Sequence, residues 1–595
     1  MTQTVRTLIV TDASGGFLPW KTQTAADARN TSISRAFHLG EFLRVLTTTT
    51  WLGFNLEITR AHRMLPGTLT EAAIKTRTGA DVVGFRFNQS FTVAGVTHAL
   101  ADYDMVLFFA IENGEPNSAL QPEADAIAQF MASGGGFFAT GDHANLGSPL
   151  CGIVPRVRSM RRWWSGTPPA GLNQAPDPLS ADRIDTTRVG ADGVGQFEDQ
   201  SDEIAQQISP TMYYAGFASR YGFPAIKRLP HPLLCSPQGV VRFLPDHMHE
   251  GMCDIPSNPG SRNFTLNGVT EREYPDYTPT GGTSEPLAPE IVAYGTVIAG
   301  TTSPALDSAH TGGVAPATGR TFGVIGAWDG HRVGKGRVVV DSTWHHFFDI
   351  NLTGDRFLED DALPAIHDQK QHGFYVLDGV GNRVPTAEYQ MIMWYYRNIV
   401  YWLIPAHRSA DIWWHTLLEA VQRPRLFEET ATLRNFDKFH VRDYLLWGQL
   451  AEQYLSQARG HCASYLVHIY IYKEKIPWYE WIQRFIDVWS PHEKIDVRDI
   501  TREQQRLGIQ GLGIQPETAA TVGLGAALIT AAIVRNKLGE QLHDERANAK
   551  AGEMMRELMP QVLTHAVTQY AEELDRAAKT QVQLSEVLRK QLGTQ

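Results

Sequence analysis

The amino-acid sequence predicts an α/β fold, with an open, mostly parallel sheet that carries helices on both faces, followed by an all-α C-terminal region. Over the first part of the chain, apolar runs of strand length alternate with segments of helical period, which is typical of a parallel sheet. From about Thr386 onward the apolar residues recur at helical spacing only. At 595 residues the chain is too long for one core, so two or three domains are expected.

We predict an α/β domain over residues 1–385, with loop insertions near 150–230 and 255–290. An all-helical domain follows over 386–595, with a further boundary possible near 500–515. The predicted strands are 6–12, 54–59, 103–111, 137–140, 240–244, 291–298, 321–328 and 337–341. The predicted helices are 32–46, 122–131, 389–404, 410–422, 439–457, 460–473, 478–489, 517–537 and 540–593, the last broken near Pro560.

Charge and composition exclude some classes of function. The formal net charge is -11 and the isoelectric point is about 6.0, so no chain-wide nucleic-acid surface is expected. The four cysteines show neither paired metal spacing nor a disulfide framework, and the N-terminus lacks a signal-peptide pattern. Both features predict a cytoplasmic protein. The apolar segment 517–537 is short for a membrane span, so a buried core helix is favoured over oligomerisation or membrane insertion.

The most informative stretch runs from Gly134 to Gly147. Three glycines end a helical segment and allow a tight turn, and a short buried strand follows. Asp142 and His143 come directly after that strand. Because ligands bind beyond the carboxyl ends of strands in open parallel sheets, this pair is predicted to carry chemistry. The alternative is that Asp142 caps the next segment while His143 packs under a loop.

Polar residues also follow three other predicted strands. Asp12 ends the first strand, and Glu112 and Asn113 follow the strand 103–111. The last strand ends at Asp341 and is followed by His345 and His346. Asp341 could orient a neighbouring imidazole and fix its tautomer. We therefore expect all these side chains to line one pocket at one edge of the sheet.

A fifth polar cluster, residues 246–250, contains Asp246, His247, His249 and Glu250. His247 and His249 are two residues apart, so on an extended segment they share a face. Neutral imidazoles and carboxylates suit a divalent metal such as zinc, and His143 would complete the ligand set. The spacing matches no sharp zinc motif, and a hydrogen-bonded turn is the alternative reading.

Four arginines, Arg156, Arg158, Arg161 and Arg162, precede two tryptophans. A solvated face or internal ion pairs are the favoured interpretation of this cluster. An anion-binding rim near the site is the alternative.

Two of these stretches resemble the class I glutamine amidotransferase-like superfamily, nearest its trehalose-utilisation (ThuA-like) branch. Gly134–His143 is similar to that branch's glycine-rich strand ending in histidine, and Gly334–Val340 before His345 resembles the final core strand. The resemblance covers residues 1–385 and implies a flavodoxin-like sheet with sugar or amide chemistry. Amidotransferases carry a cysteine in a G-x-C-x-G elbow. Here His143 stands in that place, so glutaminase activity is not expected.

These observations support a hydrolase in which imidazoles and carboxylates converge above the sheet, with or without a metal. A small molecule is the expected substrate. The residues expected to be catalytic are Asp142, His143, Glu250, His345 and His346. A non-catalytic sensor or scaffold with a degenerate domain is the alternative, and a membrane-active effector is a third reading. In the C-terminal segment, Leu584, Leu588 and their neighbours share a face that predicts a homo-oligomer or a helix folded back on its own domain.

Overall fold

The structure is a computed structural model. It describes residues 3–12, 39–51, 53–63, 70–142, 145–164, 166–169, 206–220, 223–245, 251–278, 283–297, 320–353, 373–459, 516–539 and 545–592.

The architecture is built on one sheet of ten strands. In chain order these are β1 (Gln3–Asp12), β2 (Phe54–Arg63), β3 (Val82–Val83), β4 (Met105–Phe109), β5 (Gly136–Thr140), β6 (Gln206–Pro210), β7 (Phe243–Leu244), β8 (Glu290–Val297), β9 (Arg320–Trp328) and β10 (Val338–Asp341). The spatial order is β7-β6-β8-β9-β10-β5-β4-β1-β2-β3.

Six neighbouring strands, from β10 through β5, β4, β1 and β2 to β3, pair in parallel. The other four strands add antiparallel to the β10 side. The predicted α/β fold with a mostly parallel sheet is therefore confirmed, while the antiparallel extension is a feature that the sequence did not indicate.

The longer helices are α1 (Gly40–Thr48), α2 (Glu71–Thr78), α3 (Asn117–Ala132), α4 (Ala387–Leu403), α5 (Ala406–Val421), α6 (Pro424–Thr430), α7 (Val441–Arg459), α8 (Pro516–Leu538) and α9 (Glu545–Leu592). Single helical turns cover Ser148–Cys151, Val157–Met160 and Asp349–Leu352, and short 3-10 segments cover Leu100–Asp102, Pro232–Leu234, Pro259–Ser261, Gly330–Val333 and Trp344–His346.

In the part of the chain that the structure describes, six two-stranded hairpins lie outside the main sheet. Their paired strands are Phe91–Val93 with Val96–His98, Met212–Arg220 with Phe223–Pro230, Cys235–Ser236 with Gly239–Val240, Asn263–Leu266 with Val269–Arg272, Asp276–Tyr277 with Glu285–Pro286, and Tyr375–Leu377 with Arg383–Pro385.

Each face of the sheet is covered by its own apolar core. On one face Phe109 and Phe138 pack with α1 and α4, whose Phe42 and Tyr396 rings lie 5.1 Å apart. On the other face Phe108 and neighbouring residues pack against α3. Helices on both faces were predicted from the alternation of strands and helices, and the central strands, which are buried on both sides, require them. Helix α4 therefore packs on the sheet, although it begins the helical part of the chain.

Helices α5 to α9 form a third core around α8, whose residues from Val522 to Val534 are all buried. The window Thr521–Leu538 is long and apolar enough to cross a membrane, but it is mostly buried inside this bundle. Gly525 lies against the backbone of Tyr444 on α7, and a Cβ atom there would overlap the carbonyl. The predicted buried core helix is therefore confirmed, and its small residues allow α7 to approach closely.

Some local expectations were wrong. Helix α3 begins at Asn117, so Pro122 lies within it and does not open it. Helix α9 continues through Pro560 because the residues around that proline, Met559 and Val562 among them, are buried against α8. Cys151 and Cys253 are buried free thiols, whereas Cys235 is disulfide-bonded, against the expectation of unpaired cysteines.

Candidate functional site

The carboxyl ends of β5 and β10 bring an aspartate and a histidine together. Nε2 of His345 lies 3.6 Å from Oδ2 of Asp142, and both side chains are fully buried. The hydroxyl of Thr343 lies 3.5 Å from the other carboxylate oxygen and accepts the backbone N–H of His345 at 3.0 Å. These residues meet because β10 and β5 are adjacent parallel strands, with Asp341 opposite Thr140. At 3.6 Å the contact between His345 and Asp142 is an ion-pair distance, slightly longer than a hydrogen bond.

A second aspartate–histidine pair stands next to the first. Nδ1 of His346 lies 2.6 Å from Oδ1 of Asp341, and the hydroxyl of Tyr395 donates to Oδ2 at 2.6 Å. Tyr396 donates to the backbone carbonyl of His346. Burial, with the Asp341 carboxylate as a second cause, raises the pKa of Tyr395 well above its ordinary value, so this phenol stays a donor. The pair is thus bonded to α4.

Arg161 forms hydrogen bonds to the backbone at the ends of both β5 and β10. Its Nε donates to the carbonyl of Ser342 at 2.9 Å, and its Nη2 donates to the carbonyl of Asp142 at 2.9 Å. The guanidinium also lies over the ring of Trp163, 4.7 Å from the centroid. Gly251 packs against this guanidinium with a φ of +142°, and a Cβ there would overlap it. The chain that follows residues 246–250 is therefore held beside both strand ends.

The strand ends on the other side of β4 form a separate group. Asp12 accepts the backbone N–H groups of Ile111 and Glu112 at 2.6 and 3.0 Å, which joins β1 to the end of β4. Glu112 in turn accepts the N–H of Glu115 at 2.9 Å. Burial raises the pKa of both carboxyl groups, and for Asp12 the charge of Arg63 opposes that rise. The Asn113 side chain is exposed.

Arg63 connects Asp12 to a buried ionic network. The guanidinium contacts Asp12 at 2.9 Å, Glu115 at 2.9 Å and Glu123 at 2.8 Å. Arg86 joins the same glutamates at 2.8 and 3.0 Å. Because β1 lies two strands from β5, at about 4.8 Å per strand, Asp12 is separated from the end of β5 by about 10 Å along the sheet, and Arg63 on β2 lies one strand further away.

Five predicted site residues lie outside the described residues, namely His143, Asp246, His247, His249 and Glu250. This set includes every predicted metal ligand. Within the ranges that the structure describes, no group of three or more histidine, cysteine, aspartate or glutamate side chains is arranged to hold a metal. The three-histidine ligand set thus stays a prediction.

Two cavities of ligand size lie away from the ends of β5 and β10. One of about 430 Å³ is at the opposite edge of the sheet, where Asp104 precedes β4 and Arg408 of α5 contacts it. The other, of about 410 Å³, lies beside α2 and β3 and is lined by Lys75 and Arg86 among others.

Sequence reasoning missed Arg161 as a site residue, and it missed Tyr395 and Thr343. The arginine cluster did carry a signal, and its favoured interpretation holds for two members, because Arg158 pairs with Glu273 and Arg162 pairs with Asp254. Nothing in the sequence distinguishes Arg161 from these two. The sequence likewise gives no sign of which tyrosine on α4 faces the strand end.

Comparison with known proteins adds no relative: no family model, no curated protein and no solved structure matches this chain.

Proposed function

We propose that the ends of β5 and β10 form the active site of a hydrolase that acts on a small molecule. Asp142 orients His345, and this imidazole is the general base that activates a water molecule. Arg161, whose position is fixed by two backbone carbonyls, supplies a positive charge beside the site. The observation that carries the proposal is the buried contact between Asp142 and His345 across two neighbouring strands.

The order of the parallel strands supports the related proposal of a flavodoxin-like, amidotransferase-like core. Counting only β1, β2, β4, β5 and β10, the spatial order is second, first, third, fourth, fifth. This is the doubly wound order in which ligands bind beyond the carboxyl ends of the strands. The crevice between β1 and β4 is bridged by Asp12, which favours β5 and β10 as the place of chemistry.

The metal-assisted form of the proposal adds His143, His247 and His249 as ligands of an ion such as zinc. Two contacts support it. Asp142, the residue before His143, and Gly251, the residue after Glu250, both lie against Arg161. The test is the metal content of untagged protein, measured for the wild type and for His247→Ala. A wild type without metal, or a variant with unchanged content, would argue against this form.

The hydrolase proposal is tested with untagged full-length protein on a panel of chromogenic esters, amides, phosphoesters and glycosides. We expect His345→Gln and Asp142→Asn to abolish whichever activity the wild type shows. His440→Gln changes an exposed histidine at the start of α7 and serves as the control. Circular dichroism checks that each variant is folded. Full activity in the folded His345→Gln protein would refute the proposed role of that imidazole.

A non-catalytic sensor is the second candidate, and the bonds from α4 to the strand end favour it. Tyr395 and Tyr396 hold Asp341 and the backbone of His346, and α4 continues through Pro405 into α5. The residues of α5 from Trp413 onward belong to the helical core. A ligand that moved the strand end would therefore act on the helical region directly. A wild type inactive on every substrate, whose helical region changes hydrogen exchange on ligand binding, would favour this candidate.

A further inference from the structure

One of the two cavities lies at the edge of the sheet opposite to the proposed active site. Its volume of about 430 Å³ is within the range of cavities that hold small molecules in proteins. Its walls include the segment before β4, the end of α3 and the beginning of α5. We call it the amino-edge cavity, because Asp104 and Gly135 in its wall stand just before the amino ends of β4 and β5.

A buried carboxylate holds Arg408 in the wall of the amino-edge cavity. The Nε of Arg408 donates to Oδ1 of Asp104 at 2.9 Å, and the backbone N–H of Arg6 donates to the other oxygen at 2.9 Å. Within the described part of the chain, the two Nη groups of Arg408 have no hydrogen-bond partner. Because two Nη groups match the two oxygens of a carboxylate, Arg408 is oriented to bind a carboxylate of a ligand.

Asp102 brings a charge of the opposite sign to the same cavity. Its Oδ2 accepts the backbone N–H of Ala99 at 2.8 Å, which fixes the position of the carboxylate. Asp102 forms no ion pair with Arg408 or with any other residue that the structure describes. Since Asp102 lies two residues before Asp104, the Cα atoms of these two residues are within about 7 Å of each other. The cavity thus presents a carboxylate and a guanidinium that do not neutralise each other.

The signs of these two charges and the apolar part of the wall together define the class of ligand. A simple anion would be attracted by Arg408 and repelled by Asp102, and a simple cation would meet the reverse arrangement. A molecule that carries both an ammonium and a carboxylate complements the two side chains. Leu100 and Phe130, which are almost fully buried, offer apolar surface to the rest of the ligand. An α-amino acid with an apolar side chain combines these three features.

We propose that the amino-edge cavity binds an α-amino acid with an apolar side chain, such as leucine or phenylalanine. The carboxylate of the ligand bonds to the Nη groups of Arg408, its ammonium bonds to Asp102, and its side chain packs against Phe130. The bound molecule joins the segment before β4 to the beginning of α5, and so it holds the helical region against the sheet. This inference concerns a cavity away from the ends of β5 and β10 and does not depend on the proposed function.

The site is tested by isothermal titration of the full-length protein with L-leucine and L-phenylalanine. We expect at least one of them to bind with a Kd below ~1 mM. Isocaproate and hydrocinnamate, which lack the ammonium, and isoamylamine and phenethylamine, which lack the carboxylate, should bind at least ~10-fold more weakly than the matching amino acid. Failure of both amino acids to bind at ~10 mM would overturn the proposal.

The two charged side chains are tested with one variant each. Arg408→Gln and Asp102→Asn should each raise the Kd of the amino acid at least ~10-fold, because each removes one charge-assisted contact. Asp443→Asn is the matched control and should leave the Kd unchanged. Its carboxylate also accepts the backbone N–H of the residue three positions before, that of His440 at 2.8 Å, but it lies at the start of α7, outside the cavity.

Each variant should also abolish the preference for one functional group of the ligand. Asp102→Asn should bind the amino acid as weakly as the analogue without the ammonium, and Arg408→Gln should bind it as weakly as the analogue without the carboxylate. Asp102→Asn keeps an acceptor for the N–H of Ala99, so this variant tests the site even if Arg408→Gln loses stability. An unchanged Kd in the folded Asp102→Asn protein would refute the proposed mode of binding.

Discussion

Nδ1 of His346 lies 2.6 Å from Oδ1 of Asp341, and the other oxygen of this carboxylate accepts the hydroxyl of Tyr395. All three side chains are fully buried. One carboxylate thus joins the last parallel strand, the histidine after it and helix α4. Removal of this carboxylate should therefore lower the stability of the fold and also disturb the site.

We expect Asp341→Asn to lower the free energy of unfolding by about 2–4 kcal/mol, since it removes a buried charge to which the Tyr395 hydroxyl and the backbone N–H of Thr343 donate. Tyr395→Phe removes one hydrogen bond and should cost about 1–2 kcal/mol. Urea denaturation of both variants measures the difference. An Asp341→Asn protein as stable as the wild type would show that this carboxylate contributes little.

Gly251 should tolerate no side chain, because its φ of +142° disfavours one and a Cβ would overlap Arg161. Gly251→Ala is expected to destabilise the fold by about 2–4 kcal/mol and to disturb the site. Gly239, with a φ of +122° and open space around it, is the matched control. Gly239→Ala carries only the backbone strain, about 1 kcal/mol. Equal unfolding energies for the two variants would contradict the contact with Arg161.

Replacing Arg63 should destabilise the fold far more than replacing the half-buried Arg60 on the same strand. Arg63→Met leaves the buried Asp12 carboxylate without its arginine and leaves Glu123 with Arg86 alone, and we expect a loss of about 3–5 kcal/mol. Arg60 pairs with Asp81 near the surface, so Arg60→Met should cost about 1 kcal/mol or less. Chemical denaturation measures the free energy of unfolding of both variants. Similar losses would mean that the network around Arg63 is compensated elsewhere.

The free energy of unfolding should decrease in mild acid because of the buried His231. Burial lowers the pKa of this histidine to about 3, from an ordinary value of 6.5. Between these values the unfolded chain binds a proton that the folded protein does not, so folding loses up to about 1.4 kcal/mol per pH unit as the pH decreases.

His231→Asn keeps an acceptor for the N–H of Leu233, which His231 bonds at 3.2 Å, and removes the titration. Unfolding free energies measured from pH 7 to pH 4 should therefore fall less steeply for the variant. Parallel pH profiles for the two proteins would refute the assignment to His231.

The sequence predicted the strands that are buried on both sides. Runs such as 103–111 and 137–140 contain only bulky apolar residues at their centres, so β4 and β5 fall within them or within one residue of them. The sequence could not predict that β6 to β9 extend the sheet in antiparallel orientation beside β10. Strand order depends on contacts between segments that are distant in the chain. The turn at Gly134 was predicted correctly, with a φ of +101°.

The site was predictable only in its strand-end residues. Asp142, Asp341, His345 and His346 follow apolar strands, and that position carries information. The partner of each residue does not follow from position: His346 pairs with Asp341, while His345 faces Asp142. Asp12 follows a strand as well, yet it accepts backbone N–H groups, because the neighbouring strand ends beside it.

Both borders of the ten-stranded sheet are formed by strands of only two residues, Val82–Val83 and Phe243–Leu244. A long unpaired border would offer a row of free backbone groups on which a foreign strand could grow. Here each border strand provides at most a bond or two for such an addition. Border strand β3, however, pairs only with Ala61 and His62, and no other strand in the described part of the chain pairs with Phe54–Thr59 on that side of β2. Amyloid-like addition to this sheet would accordingly begin on β2 and not on the border strands.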